Sequence, residues 1–232
     1  MEAIILGAGE GSRMGDKTSN RPKLFLEIGE ETIYQHQLSK IDLYCDKITI
    51  AIGHGFTDGT NPKDTFNIPS QLTANVEFIV IDDWENHENA YTAMKALQGS
   101  HDDIMLICGD VIFTQSTIDQ IVNKFLGSHK GIGANSVGIV EGLQDEMTAV
   151  QINDNGVIDK YGAIEGHQEI GVFILNEAHI ADAIEILKGN LDYWFPVIFE
   201  QLPSRPVFVD ENKRFEINKP EHLEQAQKMF SD

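Results

Sequence analysis

Two rhythms of apolar and polar residues run along the chain. In the first half, short apolar runs alternate with stretches whose apolar positions recur every three or four residues. EAIIL (Glu2 to Leu6), KITIAIG (Lys47 to Gly53), NVEFIVI (Asn75 to Ile81) and DIMLICG have the length and composition of strands. TIYQHQLSKIDLY places Ile33, Leu38 and Ile41 on one helical face. ENAYTAMKAL also has helical spacing, as does TQSTIDQIVNKFLG, opened by Thr114 and closed by Gly127. Strands alternating with helices predict βαβ units and a mostly parallel sheet. GFTDGTNPKDTFNIPSQL, polar and rich in Gly, Pro and Asn, predicts a long surface loop between two of the strands.

Beyond residue 140 the rhythm changes. TAVQINDNGVIDKYG (Thr148 to Gly162) is a pair of alternating runs around NDNG, which predicts a hairpin. EIGVFIL predicts another strand and EAHIADAIEIL a helix. YWFPVIFEQL predicts a short aromatic helix interrupted at Pro196. RPVFVDENKRFEI predicts two short strands, and KPEHLEQAQKMF a last helix with Pro220 in its first turn. No repeat, low-complexity tract or linker stands out. The pattern predicts one domain over residues 1–232, with a parallel half (1–130) and a mixed half (131–232). Its fold class is α/β: a Rossmann-like three-layer α/β/α arrangement with a mixed, mostly parallel sheet and a small β-hairpin subdomain.

Composition narrows the function classes. The chain has 232 residues, 41% of them hydrophobic, enough for a sizeable core. Its formal net charge of −20 argues against binding nucleic acid or an anionic membrane, both of which need a basic surface. No apolar run approaches the roughly 20 residues that span a bilayer. The first apolar run is too short for a signal peptide, so a cytoplasmic location is expected. Cys45 and Cys108 each lie in or beside apolar stretches, which predicts reduced thiols. In so acidic a chain, each Lys or Arg beside a glycine-rich loop becomes informative.

Such a loop follows the first strand. AIILGAGEGSRMG holds four glycines and one arginine within its last nine residues. The dinucleotide fingerprint fails because Ser12 stands where its third glycine belongs, and no phosphate-loop spacing is present. A tight turn would explain the glycines but not Arg13, nor Lys23 in the following RPKLFLEIG. A loop of free backbone N–H groups can wrap an anion, with Arg13 and Lys23 neutralising its ends.

The two blocks Leu6-Gly7-Ala8-Gly9-Glu10-Gly11-Ser12-Arg13-Met14 and Arg21-Pro22-Lys23 together resemble the signature of the sugar-nucleotidyltransferase family, within the MobA-like nucleotidyltransferase superfamily. The resemblance runs through nearly the whole chain. It implies that Leu6 to Gly11 bind a nucleoside triphosphate, that Arg13 holds the leaving β- and γ-phosphates, and that Lys23 contacts the α-phosphate. Gly109-Asp110 in ICGDVIF matches the family's Gly-Asp, which implies Mg²⁺ on Asp110. Glu216-Ile217-Asn218 departs from the Glu/Asp-Ile-Asp of many relatives. Asn218 is a neutral second Mg²⁺ ligand in this reading, or a cap of the last helix in the other.

Asn89-Ala90-Tyr91-Thr92 is similar to the helix start of cytidylyltransferases that act on phosphocholine, inositol phosphate or aminoalkylphosphonates. That would place Asn89 at the nucleotide, although a plain helix start fits too. Asp82 and Asp83, upstream in the same loop, could accept from a cytosine amino group or could simply be solvated. Lys160 matches a lysine facing the acceptor phosphate, and is otherwise a surface lysine. Glu169 matches an acidic position beside the acceptor or metal. Trp194 could wall a cationic acceptor head, but Phe195 stands where choline enzymes often carry an acid.

The resemblance thus implies Mg²⁺-dependent transfer of a nucleoside monophosphate, from CTP in preference, to a small phosphate- or phosphonate-bearing acceptor. Arg13, Lys23 and Lys160 would be the catalytic cations. A homodimer is left open. Transfer of uridylyl, guanylyl or thymidylyl groups to a sugar 1-phosphate is the alternative within the family. The rivals outside it are a non-catalytic nucleotide-binding regulator and a glycosyltransferase of similar fold. Asp110-Val111-Ile112 lacks the second aspartate of the latter's metal motif.

Overall fold

The computed structural model describes residues 1–143, 149–162, 164–210 and 214–230. The first half comprises β1 (Glu2–Gly7), a small ribbon of β2 (Glu27–Ile28) and β3 (Glu31–Thr32), α1 (Ile33–Ile41), β4 (Lys47–Ile52), α2 (Pro62–Thr65), β5 (Asn75–Val80), α3 (Asn89–Leu97), β6 (Ile104–Cys108), β7 (Val111–Phe113) and α4 (Gln115–Lys124). The second half comprises β8 (Asn135–Val140), β9 (Ala149–Ile152), β10 (Ile158–Gly162), β11 (His167–Leu175), α5 (Ile180–Lys188), α6 (Val197–Gln201), β12 (Ser204–Phe208), β13 (Arg214–Glu216) and α7 (Pro220–Phe230).

Among the described residues nine strands form one sheet, in the order β10-β9-β11-β6-β1-β4-β5, with β8 pairing both β11 and β12. β5, β4, β1 and β6 are parallel, and β11 joins β6 antiparallel. The expected mixed, mostly parallel α/β arrangement is therefore present. In register, Leu6 pairs with Ala51 on one side and Cys108 on the other, so the carboxyl ends of β1, β4 and β6 lie level. In such sheets ligands collect at that edge.

Alternation along each strand divides the core into two faces. Ile4, Leu106 and Phe173 pack beneath α3, α5 and α6, while Ala3, Ile5, Met105 and Ile107 pack against α1 and α4. A third cluster positions the site. Met14, Ile112, Ile217 and Leu223 are buried together, although they lie on the glycine loop, β7, the end of β13 and α7. Burying these four pulls their sequence neighbours Arg13, Asp110 and Asn218 towards one point.

Several elements differ from the sequence expectation. The stretch from Gly55 to Leu72 is more than a polar surface loop. Asn61 caps α2, and buried Phe66 packs with Phe25, Tyr34 and Phe78 at ring-centroid distances of 4.6, 4.8 and 4.8 Å. Gly127 does not end its helix; the chain continues through a π-helical turn, Phe125–His129, and stops at Gly133 (φ 67°). Pro196 opens α6 rather than interrupting a helix, since its fixed φ suits the position before the first turn. β8 was not expected at all. Asn135, Ser136 and Gly138 disguise it, and the two polar side chains are buried on partners: Asn135 Oδ1 accepts from Asn176 N at 2.9 Å, and Ser136 Oγ meets His129 Nδ1 at 2.7 Å. The hairpin, the last two strands and the final helix lie where expected, apart from Thr148 and residues 211–213, which fall outside the described residues.

Candidate active site

The glycine loop is closed on itself. Gly11 adopts φ 67°, and a Cβ there would lie 2.8 Å from Lys23 Cγ, so glycine serves both the left-handed backbone and the passage of the lysine stem. Thr18 Oγ1 donates to Gly11 O at 3.1 Å, and Met14 N to the same carbonyl at 2.9 Å. Burial of Met14 fixes the loop and leaves Arg13 facing the cleft.

Five residues from three remote segments then meet. Lys23 Nζ donates to Asp110 Oδ2 at 2.7 Å and to Asn218 Oδ1 at 3.1 Å. Arg13 Nη2 donates to the same Asn218 oxygen at 2.9 Å, and Asn218 Nδ2 donates to Glu216 Oε1 at 2.6 Å. The backbone fixes this junction, because Val111 pairs with Glu216 and Ile217 N donates to Asp110 O at 2.8 Å. The Asn218 side chain spends these contacts on Arg13, Lys23 and Glu216; helix capping is not needed to explain it.

Three adjoining cavities make one cleft along this edge of the sheet. A cavity of about 320 Å³ is lined by Leu6, Gly7, Gly9, Gly11, Gly109 and Asp110, together with Arg13 and Lys23. It shares Gly9, Gly11 and Asn89 with a second, of about 370 Å³, walled by Ala8, Glu10, Trp84 and Glu88. Through Arg13, Asn89, Cys108 and Asp110 it also adjoins a third, of about 270 Å³, walled by Tyr161, Glu169, Trp194 and Glu216. Asn89 touches all three. It is the first residue of α3 rather than its cap, and its Oδ1 accepts from Phe195 N at 2.7 Å. Glu88 N and Ala90 N donate to the carbonyls of Leu191 and Tyr193, so the start of α3 also holds the segment carrying Trp194.

Acid crowding governs the third cavity. Burial, and then the charge of Glu216, push the Glu169 carboxyl up to about 7. Burial, and then Asp110, raise Glu216. Burial holds the Cys108 thiol and the Tyr161 phenol neutral, and Tyr161 donates to Glu169. A carboxyl whose native pKa lies above its unfolded value favours the fold most below the unfolded pKa. That contribution is lost as pH rises through the native pKa. In chelator, the melting temperature of the wild type is therefore expected to fall relative to Glu169→Gln between about pH 4.5 and 7. Parallel thermal melts across that window check this; a difference that does not change with pH contradicts it.

The residues fit a magnesium ion. Asp110, Asn218 and Glu216 offer hard oxygen donors, and one or two protein ligands suffice for Mg²⁺. Two cationic side chains already converge on the Asn218 oxygen, and one of them on Asp110, so the junction is built to receive positive charge. A separate acidic group lies at the opposite end of β6, formed by Asp102 and Asp103 just before that strand and Glu177 just after β11. Lys130 and the Glu177 backbone already engage Asp103 there.

Two expected residues stand apart. Lys160 is exposed on β10 and lines none of these cavities. A register shift between Ile158 and Lys160 breaks the alternation along β10, so Ile158 and Tyr161 are both buried while Lys160 stays outside. Asp82 is exposed and also lines none of them; Trp84 takes the wall, packed so closely on Gly53 that a Cβ there would lie 2.4 Å from the indole. Sequence reasoning missed Trp84, Tyr161 and the cleft role of Glu216. Glu216 had a signal: in an extended segment it shares a face with Asn218 while Ile217 is buried.

Comparison with known proteins gives the family and the fold. The chain is 33% identical over 130 residues to the bifunctional protein GlmU of Methanococcus maripaludis, a match covering 53% of this chain and 28% of that protein. A second M. maripaludis GlmU is 30% identical over 122 residues, covering 53% and 27%. The matched stretch thus spans little more than a quarter of these relatives. The fold superimposes on the CTP:phosphocholine cytidylyltransferase LicC of Streptococcus pneumoniae with a TM-score of 0.73 at 13% identity, covering 98% of both chains. It also superimposes on the inositol-1-phosphate CTP transferase of T. maritima with a TM-score of 0.76 at 17% identity, covering 99% and 95%. The family model of the MobA-like NTP transferase domain matches residues 3–153, which hold the glycine loop, Lys23, Asn89 and Asp110, and the chain belongs to that family.

Proposed function

We propose that the protein is a Mg²⁺-dependent nucleotidyltransferase that uses CTP and a small phosphate- or phosphonate-bearing acceptor. One acceptor oxygen forms a bond to the α-phosphorus, the bond from that phosphorus to the β-bridging oxygen breaks, and pyrophosphate leaves. The observation that carries this reading is the meeting of Arg13 and Lys23 with Asp110 and Asn218 where a glycine-loop cavity adjoins an acceptor-sized one.

The glycine loop would seat the triphosphate, and the cavity between Trp84 and Glu88 the base. Glu88 and Glu10 there present carboxylates, which suit a base bearing an exocyclic amine such as cytosine. Two structural relatives that use CTP by name support the same base. The acceptor would lie between Trp194, Tyr161 and Glu169. Its oxygen is ionised at neutral pH, so no general base is required, and the protein contributes positioning and charge neutralisation. With Lys160 turned away, Arg13 is the cation that lines both the triphosphate and the acceptor cavity. Mg²⁺ held by Asp110 and Asn218 would supply charge neutralisation on the triphosphate when bound.

A pyrophosphate-release assay pairing each NTP with phosphocholine, inositol 1-phosphate, an aminoalkylphosphonate and glucose 1-phosphate tests this. Release with CTP well above the other nucleotides, dependent on one acceptor, is expected. Release with UTP or dTTP and a sugar 1-phosphate would move the chain to the alternative branch. No release with any pair would contradict an enzymatic role.

A further inference from the structure

Gln37 lies on α1, whose residues line none of the three cavities, and its side chain is fully buried. Its Nε2 donates to Cys108 O at 2.9 Å and to Val111 O at 2.8 Å. Both partners are carbonyls, so the amide orientation is unambiguous: only the NH₂ end can serve them. These two carbonyls bracket Gly109-Asp110, and one rigid NH₂ fork fixes the distance between them. On its other sides the turn is held by Gly109 N donating to Leu6 O at 2.9 Å and Ile217 N donating to Asp110 O. There is no slack, because a Cβ on Gly109 would meet Leu6 O at 2.7 Å. Gln37 Oε1 is buried with no hydrogen-bond partner among the described residues, a cost that core packing alone does not explain.

We propose that Gln37 is a positioning residue: its amide sets the Cys108–Val111 turn so that Asp110 is presented to the junction with Asn218. The inference rests on the reading of Asp110 as a metal-binding carboxylate. Fold packing would be served as well by a methionine of similar volume; turn geometry would not. Gln37→Met removes both donors and the unpartnered oxygen together. Gln37→Asn keeps the amide but is one methylene too short to span both carbonyls.

The test measures binding of Mn²⁺ alone by electron paramagnetic resonance, together with hydrogen exchange of the Gly109 and Ile217 amides. Wild type, Gln37→Met, Gln37→Asn and Asp110→Asn are compared, with Gln115→Ala as a control that loses contacts to Lys40 O and Asp119 elsewhere on the α1–α4 side. Both Gln37 variants are expected to weaken Mn²⁺ binding about tenfold and to speed exchange at those two amides more than in the rest of the sheet, which the control does not do. If Gln37→Met does not fold, Gln37→Asn alone carries the comparison. Unchanged Mn²⁺ affinity and local exchange, with only a lowered melting temperature, overturns the proposal. If Asp110→Asn itself binds Mn²⁺ as the wild type does, the reading of Asp110 fails, while faster local exchange in the Gln37 variants would still show the turn to be held.

Discussion

Lys23→Met is expected to lower kcat/KM by roughly 10²–10³-fold while tightening Mg²⁺ binding to the nucleotide-free protein. The two effects have one cause. Without nucleotide, the lysine ammonium occupies the junction, 2.7 Å from Asp110 and 3.1 Å from Asn218. A divalent cation must compete with it there, so removing the ammonium leaves Asp110 and the crowded Glu216 and Glu169 in greater need of a counter-charge. In the proposed reaction the same ammonium would serve the α-phosphate, and the loss of one such preorganised contact costs about 2.7–4 kcal/mol. Steady-state kinetics and Mg²⁺ titration of the free protein read the two effects separately. A lysine with a purely structural role would weaken metal binding or leave it unchanged.

Asp110→Asn is expected to lower turnover by a similar 10²–10³-fold, with the opposite effect on metal. Replacing the carboxylate removes the charge that a hard cation needs and leaves two neutral amides, at 110 and 218, facing it. The half-saturating Mg²⁺ concentration should rise at least tenfold, while KM for CTP at saturating Mg²⁺ changes little, because the glycine loop and Trp84 wall are untouched. Removal of one member of the acidic group also weakens the force raising Glu216, so that carboxyl should titrate closer to its ordinary range. Kinetics over a Mg²⁺ series check this. An unchanged Mg²⁺ dependence with lowered turnover would show that Asp110 acts other than through the metal.

Much of this was legible in the sequence because the fold is built from regular, well-punctuated elements. The helical face of Ile33, Leu38 and Ile41 on α1 and the apolar runs of β1, β4 and β6 follow local rules. So does the NDNG hairpin turn, where Asn153 accepts from Asn155 N and Val157 N. β8 was hidden because its polar residues find buried partners outside the strand, His129 for Ser136 and the distant Asn176 for Asn135, which no apolar pattern records. Of the site, the residues fixed by loop and strand-end motifs all line the cleft: the glycine loop, Lys23, Asn89 and Asp110. Among strand residues, Glu169 on β11 was named from the sequence and lines the third cavity, but the inward face of β10 was not readable. A one-residue choice on β10 decides between Lys160 and Tyr161, and alternation alone does not say which faces the ligand. Trp84 and Gln37 reach their positions through close tertiary contact with Gly53 and with the turn at Cys108–Val111.

The most direct measurement is a crystal structure with Mn²⁺ and a non-hydrolysable CTP analogue. Triphosphate against residues 7–13, an anomalous Mn²⁺ peak touching both Asp110 and Asn218, and Lys23 Nζ moved from Asp110 onto phosphate oxygen is the predicted result. Nucleotide bound elsewhere, with the Lys23–Asp110 pair intact and no metal between residues 110 and 218, would contradict it.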